Sequence, residues 1–162
     1  MGCCSSGSRW GLRLRKVTAL SWADRWLLLQ LFLLLGAARL ALRLLPFRRL
    51  ARYLGPVQVE TPLEIAPDAL AQARRVGGAI ARIAPYTPWT SNCFPQALAA
   101  KYWLGRRHIP TTLYLGVALT PCNPTGSAEK PMSAHAWLRC GPLLVTGQQG
   151  HERYTVTARF GG

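Results

Sequence analysis

Acidic side chains are scarce in this chain: six Asp and Glu stand against twenty Lys and Arg, a formal net charge of +14 over 162 residues. That imbalance calls for an acidic partner or surface. Lysine is scarce too, at Lys16, Lys101 and Lys130, so the charge is carried by arginines spread along the chain. Neither a zinc-finger spacing nor a helix-turn-helix pattern accompanies them, which excludes a specific nucleic-acid reader and leaves a membrane surface or an acidic peptide. Cysteine pairs of the CxxC type are missing as well. The five cysteines, Cys3, Cys4, Cys93, Cys122 and Cys140, are odd in number and unsuited to a zinc site or a disulfide framework, so a reducing, cytoplasmic compartment is expected. No P-loop is present, and no cofactor or metal is expected. A membrane-spanning helix, which needs about 20 apolar residues, is disfavoured, because the stretch from Trp26 to Ala38 breaks at Arg39 and again at Arg43.

What is present is enough for one folded domain. Apolar residues make up 49% of the chain, well outside the composition of disorder. Residues 1–20 read as a basic, flexible N-terminus, 21–55 as an apolar and basic helical segment, and 56–162 as the catalytic domain. The opening MGCCSS matches the myristoylation pattern, a match short enough to arise by chance. In the helical segment Arg25, Arg39 and Arg43 share one side at 100° per residue, leaving the leucines for a core, a docking partner or a membrane interface. Leu27, Leu28, Leu31, Leu34 and Leu35 are the residues expected to be buried. Pro46 should end this helix, and Pro67-Asp68 should open another reaching about Ile83.

The chemistry is concentrated further on. Thr90, Ser91 and Asn92 are helix-capping types directly before Cys93, and FPQALAAKYWLG continues as a helix ending near Gly105. A thiol in the first turn of a helix meets free N–H groups that favour a thiolate and can hold an oxyanion. TTLYLGVAL alternates as a strand, and AHAWLRC with PLLVTG reads as a hairpin around Gly141-Pro142. His135 then lies on a strand facing the helix that carries Cys93, a nucleophile and base with rigid supports. The bland alternatives are a buried apolar cysteine and a structural histidine.

The segment SNCFPQALAAKYWLGRRHIPTTLYLGVA, followed by SAHAWLRCGPLLVTG and ERYTVTARFG, resembles the lasso-peptide maturation peptidases, B proteins of transglutaminase-like (papain-like) fold. The matching features are Cys93, the helix from Leu98 through Gly105, the pair Gly116-Val117, and Ala134-His135-Ala136-Trp137. The resemblance implies an α+β fold in which a cysteine-bearing helix packs on a small antiparallel sheet bearing the histidine. It also implies removal of a leader peptide from a precursor, with a separate leader-recognition protein and a macrolactam-forming cyclase as partners. Family members often carry an Asp about a dozen residues beyond the histidine, where this chain has Thr146 and Gly147. Thr146, Gln148, Glu152 or a backbone carbonyl would have to orient His135 instead. Two other readings use the same residues differently: a transglutaminase-like acyl transferase, and a non-catalytic basic module that docks on a membrane or nucleic acid.

Overall fold

The computed structural model describes residues 21–119 and 132–162; Cys3, Cys4, Cys122 and the MGCCSS motif lie outside them. Helix α1, Trp22–Leu44, starts at Ser21, whose Oγ accepts the N–H of Asp24 at 3.1 Å. Asp24 is held below the usual carboxylate range by the Ser21 hydroxyl and then by Arg75. The Arg75 guanidinium donates to Asp24 at 2.6 Å and ties α1 to the helix that spans Pro67–Ile83. The helix stops at Leu44 because Leu45, directly before Pro46, is extended, the conformation that a following proline imposes. A short helix α2, Phe47–Ala51, follows Pro46. Helix α3, Pro67–Ile83, has Pro67 in its first turn with Asp68 beside it, the order that a helix N-terminus favours. Helix α4, Cys93–Gly105, is buried on nearly all sides through Ala97, Leu98, Ala100, Trp103 and Leu104. It is the central helix of the fold.

Four strands form one antiparallel sheet: β1 Thr112–Leu119, β2 Met132–Cys140, β3 Leu143–Thr146 and β4 Thr155–Gly161, in the order β3-β2-β1-β4. Period-two alternation gives the sheet two faces. Leu113, Ala136, Leu138, Cys140 and Phe160 turn into the core with Leu27, Leu31, Val76, Ile80 and Leu104 from the helices. Each such side chain removed from water contributes roughly 1.5–3 kcal/mol before conformational entropy is subtracted. Residues Tyr114, His135, Trp137 and Arg139 occupy the alternate positions. Helices on one face of an antiparallel sheet make an α+β fold. The apolar leucines of α1 belong to this same core: Leu27, Leu31 and Leu35 are buried, and Leu28 and Leu34 pack against it.

Candidate active site

Cys93 is the first residue of α4, half-buried against the core. Asn92 occupies the N-cap but makes no side-chain capping bond. Gln96 reaches back instead, its Nε2 donating to the Ser91 carbonyl at 2.7 Å. Pro95 has no N–H, and Gln96 N donates to Asn92 O. Among the described residues, the N–H groups of Cys93 and Phe94 therefore find no acceptor. Two free donors beside a thiol are the elements of an oxyanion hole.

His135 lies on β2, paired across the ladder with Gly116 of β1. Its Nε2 is 2.9 Å from the carbonyl oxygen of Gly147. A carbonyl can only accept, so Nε2 carries the proton and Nδ1 keeps its lone pair. Nδ1 makes no hydrogen bond among the described residues and is free to act as a base. The ring packs against Tyr154, with centroids 4.9 Å apart, and against Trp137 at 5.9 Å. Trp137 in turn stacks on Tyr114 at 5.5 Å and 9°. Gly116 makes room for this wall: a Cβ there would come within 2.9 Å of both the Trp137 ring and Tyr154.

No hydrogen bond joins Cys93 to His135 among the described residues. The α4 side chain Lys101 donates from Nζ to Thr111 O at 3.1 Å and to Phe160 O at 3.2 Å, tying that part of the helix to the start of β1. Cys93 precedes Lys101 by eight residues, about 12 Å of helix. The His135–Gly116 pair lies four residues along β1 from Thr112, about 13 Å of strand. The expectation that His135 faces the Cys93 helix is not met: Cys93 packs on the core side with Ala136 and Leu138, whereas His135 alternates with them and turns to the Trp137 and Tyr154 side of the sheet.

Of the three side chains considered as partners for His135, none makes its hydrogen bond. Thr146 is buried, paired with Leu138, and its Oγ1 has no partner. Gln148 donates from Nε2 to Leu144 O, and Glu152 lies 3.3 Å from His151 Nδ1. Sequence reasoning singled out neither Gly147 nor the aromatic wall of Trp137 and Tyr154. A backbone carbonyl carries no residue signature, and the aromatics are separated along the chain. A cavity of about 640 Å³ lies elsewhere, lined by Leu34, Ala38, Leu50, Leu98, Lys101 and Gly162 among others, and neither Cys93 nor His135 borders it. Among the described residues no cluster of His, Cys, Asp and Glu could hold a metal ion.

No curated protein and no solved structure matches this chain. A family model does, described as the transglutaminase-like superfamily, over residues 32–159. The match takes in most of α1, all of α4 and nearly the whole sheet. That superfamily includes cysteine peptidases and acyltransferases, and its members are usually cysteine-based enzymes. With helices on one side of a four-stranded antiparallel sheet and the match spanning most of its length, this chain belongs to the transglutaminase-like superfamily.

Proposed function

We propose that this protein is a cysteine peptidase that removes the leader from a ribosomally made lasso-peptide precursor. The observation that supports the catalytic part is the start of α4, where Cys93 stands beside two unclaimed N–H groups. The lasso assignment rests on the resemblance of the cysteine, Gly116-Val117 and Ala134–Trp137 segments.

In this proposal His135 Nδ1 serves as the base for the Cys93 thiol, which requires the ring to come round from its own sheet face to the helix start, and the thiolate attacks the carbonyl of the last leader residue. The negative charge that develops on that oxygen is met by the N–H groups of Cys93 and Phe94. Collapse of the tetrahedral species breaks the C–N bond, and the imidazolium returns its proton to the leaving amine of the core peptide. Water, deprotonated by the same imidazole, then cleaves the thioester and restores the thiol. The Gly147 carbonyl fixes the tautomer and the resting orientation of the ring. A generic thiol site does not choose one bond in one precursor, so a separate recognition protein presents the leader. A partner cyclase then consumes the freed N-terminus.

The test is to incubate the full chain with a lasso-type precursor from its own gene neighbourhood and that recognition protein, and to follow masses. Leader and core together should gain one water, whereas transfer to an amine would not add it. Cys93→Ala and His135→Ala should each lower cleavage by a thousandfold or more, roughly the usual loss for such a pair. Processing by Cys93→Ala at the wild-type rate overturns the assignment. The pairing itself is read from alkylation of Cys93 below pH 7, which should slow in His135→Ala if the two residues share a proton.

A further inference from the structure

Apart from the side of Arg25, Arg39 and Arg43, helix α1 is apolar; the fold buries one row of it, and Trp89 packs on Phe32 and Gly36 beside that row. Leu27, Leu31 and Leu35 are at most 5% exposed and face the core. On the opposite side Trp22, Trp26, Leu29, Leu33, Leu40 and Leu44 are between 47% and 83% exposed. At 100° per residue those six fall within an arc of about 60°, a straight stripe along a helix some 34 Å long. Six large exposed side chains on one arc of a helix mark a site that is covered when the protein works.

The charges beside the stripe identify the cover. Arg43 flanks it in the last turn of α1, and Arg48, Arg49 and Arg52 follow directly after Pro46; all four are exposed. None of them pairs with a carboxylate among the described residues. Asp24, the single acid on α1, is already engaged by Arg75. In the sequence, residues 1–20 add Arg9, Arg13, Arg15 and Lys16 and no acid. A flat apolar stripe with tryptophans, bordered by unneutralised arginines, is the pattern of a helix lying in an anionic lipid interface.

α1 is long and apolar enough to cross a membrane by length and composition. Crossing would strip Leu27, Leu31 and Leu35 out of the core that they share with α3 and α4. We infer that α1 instead lies flat on the surface of an anionic lipid bilayer, its Trp22-to-Leu44 stripe among the acyl chains and its arginines at the headgroups, and docks the folded enzyme there. This inference is independent of the substrate proposed above.

The experiment is co-sedimentation of the full chain with vesicles of phosphatidylcholine alone and of phosphatidylcholine with an equal part of phosphatidylglycerol, at 50 and 500 mM salt. Charge alone would bind this protein to the anionic vesicles at low salt and release it at high salt. Insertion of the stripe predicts binding that survives 500 mM salt and a blue shift of tryptophan emission. Leu33→Ser combined with Leu40→Ser should weaken high-salt binding at least tenfold, and Trp26→Ser alone should remove much of the blue shift. Circular dichroism and the thermal midpoint of each variant confirm that the core is kept. Loss of all binding at 500 mM salt, or equal binding by the wild type and the double variant, overturns the inference. So does a wild-type dimer in sedimentation velocity that the double variant abolishes, because the stripe would then be covered by protein.

Discussion

The imidazole of His135 and the carbonyl of Gly147 stand twelve residues apart in sequence and 2.9 Å apart in space. Gly147 has φ +72°, and a Cβ there would meet the Ala136 carbonyl and come within 2.8 Å of Trp137 Cβ. Gly147→Ala should therefore cost about 1–3 kcal/mol of stability from the backbone alone. It should also displace the acceptor that fixes His135, lowering kcat more than it raises KM. A variant that loses stability in urea but keeps full kcat would show that the carbonyl has no positioning role.

Thr146 was one of the side chains expected to orient His135, yet its buried Oγ1 has no hydrogen-bond partner. A hydroxyl in that state costs stability without return. Thr146→Val, of nearly the same shape, should leave cleavage unchanged and raise stability by about 0.5–1 kcal/mol. A tenfold loss of kcat in this variant would restore Thr146 as the third catalytic group.

Two described cysteines differ in what protects them. Cys140 is fully buried, and burial pushes its thiol up against a smaller opposing effect of Arg139. Cys93 is only half-buried at a helix start. Native-state labelling with iodoacetamide, mapped by peptide mass spectrometry, should modify Cys93 at least tenfold faster than Cys140, roughly the effect of access and thiolate character. Comparable rates would mean that the helix start confers no special access.

Lys101 is buried beneath the end of the sheet, where burial brings its ammonium down to about 8. Between that value and its ordinary 10.5, the unfolded chain holds one more proton than the folded one, so stability rises with pH across this window. Below pH 8 the full cost of the buried cation applies, and above 10.5 it is relieved. The swing is on the order of 3 kcal/mol as an upper bound. Urea unfolding at pH 7.5 and pH 10 should show a larger gain with pH in the wild type than in Lys101→Met. Parallel pH dependence in the two proteins would remove Lys101 as its source.

Much of the architecture was legible before any coordinates. Pro46 and Pro67 set a helix end and a helix start because proline restricts the backbone locally. The thirteen-residue helix from Cys93 to Gly105 and the turn at Gly141-Pro142 were equally local. The placement of Cys93 at a helix start and of His135 on a strand was equally readable from capping residues and alternation. Tertiary structure decided the rest. VQVETPL and ERYTVTARFG, distant in sequence, meet through the Val57–Phe160 bridge and the bonds of Arg159 to Gln58 and Glu60. The leucines of α1 divided into a core row and an exposed row only once α3 and α4 covered one side. The group that holds His135 is a main-chain carbonyl, which every residue carries, so residue identity could not distinguish Gly147 from its neighbours. Its selection needed the bend after β3 that brings that one oxygen against the ring.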